Sequence, residues 1–178
     1  MTVDVLVIGA HPDDIELVAG GTVAGLVRRG KRVAGIDLTR GEMGTRGTPE
    51  ERLKEAEAAA EVLGLCERVN LDMGDGKLRN SEENRRKIIN EVRRLRPSIV
   101  LVHHWNDLHP DHTAAAEMLR DSMYPMGMTK YDAEGEAFRP HEVLFFMGHF
   151  PFEPNLIVGV SKDDMEVKLA ACRCYKSQ

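Results

Sequence analysis

The sequence has few cysteines, few aromatic residues and no long apolar run among its 178 residues. Its apolar stretches, such as residues 5–10 and 99–102, fall far short of the roughly 20 residues that a membrane-spanning helix needs. No basic and apolar leader precedes Val3, so we expect no secretory signal. The three cysteines lack the spacing of a disulfide framework, which favours reduced thiols and a cytoplasmic location.

The chain also lacks a basic excess. Its 24 lysine and arginine residues face 29 aspartate and glutamate residues, for a formal net charge of −5. Proteins whose main partner is a nucleic acid usually carry a basic surface, so we do not expect that class of function. What the sequence does have is 42% hydrophobic and 30% charged residues, which is typical of a soluble globular protein. With no repeat and no linker, residues 1–178 are expected to form a single domain.

Short β-branched runs alternate with longer helical segments along the chain. This alternation predicts an α/β fold, with a Rossmann-like, mostly parallel sheet covered by helices on both faces. In such sheets ligands bind outside the carboxyl ends of the strands, so chemistry is sought in the loops that follow strands. The predicted strands are 3–8, 33–38, 69–73, 99–103, 143–147 and 156–160, and the predicted helices are 15–29, 49–63, 82–95, 111–120 and 162–175.

Two of these loops carry the same motif. Residues 10–16 read Ala-His-Pro-Asp-Asp-Ile-Glu, and residues 103–112 read His-His-Trp-Asn-Asp-Leu-His-Pro-Asp-His. Each contains His-Pro-Asp followed by a potential metal ligand, and each opens a helix. A single carboxylate at a helix start is explained by its favourable interaction with the helix dipole alone. Three imidazoles and three carboxylates that converge on one crevice are instead typical of a catalytic metal site with an open position for water. The constellation predicts a metal-dependent hydrolase.

The spacing assigns roles only in part. Asp13 and Asp14 are adjacent at a helix start and point about 100° apart, so one is expected to bind the metal and the other to act as a base. His109 and His112 lie three residues apart across a helix start, so one can bind the metal while the other faces the substrate. Spacing alone leaves open which member of each pair has which role.

The two loops resemble the LmbE/PIG-L family of zinc-dependent N-acetylglucosaminyl deacetylases. The similarity continues through residues 37–48, Glu51-Arg52, Gly74-Asp75-Gly76 and the segment 175–178, so it covers nearly the whole chain. Within the family the chain is most similar to the small bacterial branch that contains the bacillithiol-pathway deacetylases. Family members usually continue past the last of these segments, so the chain is expected to lack their usual C-terminal tail. The resemblance also implies a homo-oligomer.

The resemblance implies a zinc site with His11, Asp14 and His112 as ligands. It implies that Asp13 is the general base that activates the attacking water. The implied reaction removes the N-acetyl group from an N-acetylglucosamine-type sugar conjugate and gives acetate and a free amine. The nature of the group attached to the sugar stays open.

Three further residues receive roles from the resemblance. His109 corresponds to the residue that stabilises the oxyanion or protonates the leaving amine, and Asp111 to the carboxylate that orients His109. Arg52 corresponds to a sugar-contacting arginine at the rim of the site. His103, His104, His141 and His149 receive no role.

Two other interpretations of the sequence compete with this one. A Rossmann-like nucleotide- or sugar-binding module without hydrolase activity is disfavoured because His-Pro-Asp-Asp stands where a phosphate-binding Gly-x-Gly-x-x-Gly turn would be needed. Two histidines and one carboxylate are also the ligands of non-haem Fe(II) enzymes, so the ligand set does not exclude Fe²⁺. A dedicated base and a dedicated acid favour hydrolysis over oxygen activation.

Overall fold

The fold of residues 2–178, seen in a computed structural model, is built on one five-stranded sheet. All neighbouring strands are parallel and their order is β3-β2-β1-β4-β5. This arrangement confirms the predicted Rossmann-like α/β class. The strands are β1 (Val5–Gly9), β2 (Val33–Asp37), β3 (Glu67–Asn70), β4 (Ile99–His103) and β5 (Glu142–Phe146).

Helices cover both faces of the sheet. A wide π-helical turn, Ile15–Ala19, leads directly into the first α-helix. Helices α1, α2 and α5 share one core with the sheet, and α3 and α4 share the other. Within residues 2–178, no helix is both long and apolar enough to cross a bilayer. The helices are α1 (Gly20–Arg28), α2 (Pro49–Leu63), α3 (Glu82–Leu95), α4 (Pro110–Met126) and α5 (Lys162–Cys172).

The two cores follow from the alternation of side chains along the central strand. In β1, Leu6 and Ile8 belong to the core under α3 and α4, while Val5 and Val7 belong to the core under α1, α2 and α5. Because successive side chains of a strand point to opposite faces, a continuous apolar run supplies both layers at once. β1 is therefore buried on both sides and fixes the position of the loop that follows it.

The predicted ends of α2 are confirmed. Thr48 and Glu51 form a reciprocal capping box, in which each side chain accepts a hydrogen bond from the other residue's backbone N–H. Pro49 occupies the first turn, and Gly64 ends the helix with a φ of 72°. An L side chain is strained at this φ, which explains glycine at the position.

The third strand lies earlier than the predicted 69–73: it begins at Glu67, includes Arg68 and ends at Asn70. Charged residues argue against a buried strand, but here the Arg68 guanidinium binds the carboxylates of Glu16 and Asp37. Both carboxylates are almost completely buried. The partners that neutralise Arg68 come from distant parts of the chain, so the sequence pattern around β3 does not reveal them.

The prediction of a sixth strand at residues 156–160 is wrong, because this segment carries no strand. Leu156 and Val158 are instead 54% and 46% exposed. They line an open pocket of about 400 Å³ together with Leu101 of β4 and Leu144 of β5.

Helix α4 runs six residues beyond the predicted end at Arg120. Pro125 lies in the last turn of the helix. The buried Arg93 side chain of α3 donates hydrogen bonds to the carbonyl oxygens of Met126 and Met128, at 3.2 and 2.7 Å. Carbonyl groups at a helix end need such partners, and Arg93 satisfies them from another helix.

Candidate metal centre

The two histidine-containing loops meet at the centre of the sheet. β1 and β4 are neighbours, and the loop after β1 leads to a helix on one face while the loop after β4 leads to a helix on the other. This reversal is the topological switch point at which α/β sheets open a crevice. The structure thus brings together residues that lie about a hundred positions apart in the sequence.

Asp14 lies between the two histidines that were predicted as its fellow metal ligands. Its Oδ2 atom is 3.3 Å from Nδ1 of His11, and its Oδ1 atom is 3.3 Å from Nε2 of His112. The two imidazole rings are 5.5 Å apart between centroids. All three side chains are nearly inaccessible to solvent.

Asp14 is held in its ionised form. Burial by itself raises the pKa of a carboxyl group, but contacts with His103, His11 and His112 outweigh this effect and hold the pKa of Asp14 well below its usual range. His103, the last residue of β4, has its Nε2 atom 3.1 Å from Asp14 Oδ2. It also stacks on His112 with 3.7 Å between ring centroids. His103, which had no predicted role, thus supports both Asp14 and His112.

The other nitrogen of His11 faces two carboxylates. Nε2 of His11 is 3.1 Å from Asp75 Oδ1 and 3.3 Å from Asp111 Oδ2. Burial lowers the pKa of His11, but Asp14, Asp75 and Asp111 together raise it to about 9. At neutral pH His11 therefore carries a proton on both ring nitrogens: Nε2 faces Asp75 and Asp111, and Nδ1 faces Asp14, where a bound cation would take the place of the proton.

The second nitrogen of His112 faces the Asp107 carboxylate. Its Oδ1 atom is 3.0 Å from Nδ1 of His112 and 2.9 Å from Nδ1 of His149. Burial raises the pKa of Asp107, but the backbone N–H groups of His109 and His149, with the His149 side chain, hold it well below its usual range. An ionised acceptor here favours a proton on Nδ1 of His112, which leaves Nε2 facing Asp14.

Asp13 lies beside this cluster in an unusual backbone conformation, with φ at 112°. Burial raises the pKa of its carboxyl group to about 7, the Asp14 carboxylate adds to the rise, and Arg52 opposes it. Residues in sparsely populated backbone regions cluster at functional sites, where the surrounding structure holds them in place. A carboxyl group poised near neutral pH is suited to accepting a proton.

The structure does not place Arg52 at a rim. Its side chain is 6% exposed and lies beneath the first loop, with Nη2 at 3.2 Å from Asp13 Oδ2. The guanidinium also donates to the carbonyl oxygens of Pro12 and Gly41, at 2.5 and 3.0 Å. These contacts consume most of its donors and tie two loops together. Contact of Arg52 with a sugar stays a prediction, and its visible partners are Asp13 and the backbone.

His109 and Asp111 are adjacent, but not in the way that the sequence implied. The Asp111 carboxylate points to His11 and accepts a hydrogen bond from the backbone N–H of Gly76 at 2.7 Å. Only the backbone N–H of Asp111 contacts His109, by donating to Nδ1 at 3.2 Å. This bond leaves the ring proton of neutral His109 on Nε2. Burial, followed by the charges of His11 and His112, lowers the pKa of His109.

Asp75, Asp107 and His149 contact the cluster but were given no role from the sequence. Asp75 follows β3 in the segment Gly74-Asp75-Gly76, a glycine-flanked acid at a strand end that is a usable signal. Asp107 was inside the second motif, but its partner His149 is 42 residues away. His141 directly precedes β5, at the amino end of that strand, so it lies away from the site.

The cluster offers donors of the kind that bind a metal ion. Two imidazole nitrogens and one ionised carboxylate face one another, and each imidazole has its second nitrogen close to a carboxylate. Metal-binding histidines in proteins are oriented by this kind of partner. Asp13, whose pKa is about 7, and His109, whose neutral ring carries its proton on Nε2, flank the cluster.

The chain matches a known family and a curated relative. The family model described as PIG-L, GlcNAc-PI de-N-acetylase, matches residues 6–123, which include both histidine-containing loops. Diacetylchitobiose deacetylase from Thermococcus kodakarensis is 34% identical over 186 aligned residues, covering 98% of this chain and 69% of that protein.

Two crystal structures have closely similar folds. The conserved protein TT1542 from Thermus thermophilus is 43% identical with a TM-score of 0.95, covering 99% of this chain and 80% of that one. The 4-carboxy-2-hydroxymuconate hydratase from Pseudomonas putida is 26% identical with a TM-score of 0.86, covering all of this chain and 80% of that one.

Proposed function

The chain belongs to the PIG-L family of de-N-acetylases, and from this premise we propose that it is a metal-dependent deacetylase of N-acetylated amino sugars. The observation that carries the proposal is the position of Asp14 between the imidazoles of His11 and His112. Similarity to a diacetylchitobiose deacetylase supports an N-acetylglucosamine-type substrate.

The donors fit zinc. Catalytic zinc sites use three protein ligands and keep one position open. His11, Asp14 and His112 provide two nitrogens and one oxygen, and the three side chains are already oriented toward one another before any ion binds. The carboxylates of Asp75, Asp111 and Asp107 hold the remaining imidazole protons, which satisfies the outer shell that such sites need.

A zinc ion held by these residues would supply a Lewis acid for the acetyl carbonyl and would lower the pKa of a nearby water molecule. The chain's own residues then move the protons. Asp13, whose pKa is about 7, accepts the proton from the attacking water. Arg52 holds the Asp13 carboxylate in place from below the loop.

His109 acts on the opposite side of the reacting amide. With Nδ1 occupied by the backbone N–H of Asp111, the Nε2–H group is free to donate. It first donates a hydrogen bond to the developing oxyanion, and donors fixed in advance are most effective where charge develops. Asp13 then passes the proton that it took from the water to the amide nitrogen, the C–N bond breaks, and the amine and acetate are released.

A second candidate function follows from the similarity to the hydratase. Addition of water to a carbon–carbon double bond also needs an activated water and a proton donor, which the same cluster offers. The Asp13 and His109 pair suits both reactions. Amide hydrolysis is favoured because the family model and the more similar curated relative are both deacetylases.

The test is an assay of amine release on the purified full chain with its metal content measured in parallel. Substrates are N-acetylglucosamine, N,N′-diacetylchitobiose and an N-acetylated bacillithiol precursor, with 4-carboxy-2-hydroxymuconate as the hydratase substrate. We expect release of a free amine and acetate, loss of activity on chelation, and recovery with Zn²⁺ or Fe²⁺. Hydration without amine release from any of the sugars would contradict the proposal.

A further inference from the structure

The Asp107 carboxylate is the acceptor of an unusually dense set of hydrogen bonds. Its side chain has no exposed surface, although its loop lies at the protein surface. Oδ1 accepts from Nδ1 of His112, from Nδ1 of His149 and from the backbone N–H of His109, at 3.0, 2.9 and 2.9 Å. Oδ2 accepts from the backbone N–H of His149 at 3.0 Å. One carboxylate therefore joins the loop after β4 to the loop after β5.

The contact with His112 decides which ring nitrogen carries the proton. Neutral imidazole has one N–H donor and one lone pair. Asp107 lies 3.0 Å from Nδ1, and Asp14 lies 3.3 Å from Nε2, so the two carboxylates compete for a single proton. If the proton were on Nε2, His112 would donate to Asp14 and would have no lone pair to offer a cation between them.

We propose that Asp107 is a positioning residue that holds His112 in the Nδ1–H tautomer and so keeps its Nε2 lone pair available to the metal. This inference rests on the proposed function, because it concerns a ligand of the same site. Asp107 acts through His112 and does not contact the reacting atoms. His149, which stacks on His112 at 5.5 Å between centroids, fastens the loop after β5 over this pair.

A purely structural role for Asp107 predicts a different pattern. In that case the carboxylate serves only to pin residues 147–150, and removing its His149 partner would have the same effect as removing Asp107. His149 therefore provides the matched comparison. Its side chain is half-exposed, so His149→Ala leaves little buried space behind.

The experiment measures the dissociation constant of Zn²⁺, by competition with a chromophoric chelator, for the wild type and four variants. Asp107→Ala removes the acceptor, Asp107→Asn keeps its shape without its charge, and His149→Ala removes only the loop contact. Asp132→Asn controls for the loss of one negative charge, because the Asp132 carboxylate is exposed and pairs with Arg86 of α3 rather than with the cluster. Loss of an outer-shell partner typically weakens metal binding about 10–100-fold.

We expect Asp107→Ala to weaken Zn²⁺ binding about 10–100-fold, Asp107→Asn and His149→Ala to weaken it less, and Asp132→Asn to match the wild type. Long-range ¹H–¹⁵N spectra of the metal-free full chain report the tautomer directly. His112 should be Nδ1–H in the wild type and His149→Ala, and should shift toward Nε2–H in Asp107→Ala.

Equal zinc affinity and an unchanged tautomer in both Asp107 variants would overturn the inference, as would a loss in His149→Ala as large as that in Asp107→Ala. If Asp107→Ala does not fold, Asp107→Asn carries the comparison alone. A wild type that binds no zinc would instead refute the proposed function, and the tautomer spectra would still decide the role of Asp107.

Discussion

Asp13 shows how a single residue is prepared for one task. It combines a strained backbone, a buried carboxyl group and a neighbouring negative charge, and each of the last two raises its pKa. Adjacent Asp14 has the same side chain, but three histidines hold its pKa low. Two identical residues next to each other thus differ in charge: Asp14 stays ionised, and Asp13 titrates near neutral pH.

We expect Asp13→Asn to lower kcat by about 10²–10⁴-fold, the usual contribution of a general base. The amide has the same shape and adds no backbone strain, but it does not accept the proton. Zinc content should stay at the wild-type level, because Asp13 is not one of the three proposed ligands. Turnover and metal content are measured on the same preparation.

His11→Ala is the companion variant, since it should lose the metal along with the activity. Near wild-type turnover in Asp13→Asn would remove the base assignment, and an unchanged metal content in His11→Ala would refute the ligand set.

The meeting of the two motifs at one edge of the sheet was predictable from the sequence, but the contacts of their side chains were only partly so. The two His-Pro-Asp motifs follow buried strands, and parallel topology brings the ends of such strands together. Asp111 illustrates the limit. Its place next to His109 in the sequence suggested that its carboxylate orients His109, yet helix geometry turns that carboxylate toward His11. Contacts that depend on direction need the coordinates.

At the scale of helices and strands, local capping sets some element ends and distant side chains set others. The capping box of α2 is local and was predicted correctly. The end of α4 depends on Arg93 of another helix, and the start of β3 depends on carboxylates that bind Arg68. Local patterns therefore identify most elements, while long-range polar contacts set several of their boundaries.

Helix α5 is docked by such a contact. Asp164 in its first turn accepts hydrogen bonds from Arg28 of α1, at 2.9 and 3.0 Å, and from the Ser161 hydroxyl at 2.6 Å. The Arg28 contact, followed by that of Ser161, holds the pKa of Asp164 well below its usual range. Docking of α5 thus depends on an ionised carboxylate.

We expect Asp164→Asn to lower the melting temperature at pH 7 by about 2–4 °C, because a neutral amide binds the Arg28 guanidinium less strongly than a carboxylate does. Because the folded-state pKa is depressed, the stability that Asp164 contributes is complete above the unfolded value of about 3.9 and is lost as pH falls toward the folded value. The difference between the wild type and the variant should therefore shrink in thermal scans below about pH 4.

Asp163→Asn removes an equal charge from the same helical turn but keeps the contacts of Asp164 with Arg28 and Ser161. It should therefore lower the melting temperature less. Equal destabilisation by the two substitutions would show that general helix-end electrostatics, and not the Arg28 contact, docks α5.

For the whole molecule, the candidate metal site joins the two halves of the sheet. Its donors come from the loops after β1 and β4, and its outer partners come from the loops after β3 and β5. A cation bound there would connect four loops that the strands deliver to one edge. Binding of this kind stabilises the folded state alone, since the unfolded chain does not bring the donors together.

We expect saturating Zn²⁺ to raise the melting temperature of the chelator-treated protein. At a free concentration 100 times the dissociation constant, linkage gives about 2.7 kcal/mol of added stability. For a protein of this size that corresponds to roughly 5–11 °C. The shift is followed by circular dichroism, with His11→Ala as the control that should show none. A similar shift in that variant would place the bound ion elsewhere.

The central pairing of β1 with β4 has a consequence for biosynthesis. Ala10 and its hydrogen-bond partner His103 are 93 residues apart, so one loop leaves the ribosome well before the other. At 5–20 residues per second the interval is about 5–20 s. During that time the nascent chain carries the His-Pro-Asp-Asp loop without the second loop, so the site forms only after residue 112 has been translated.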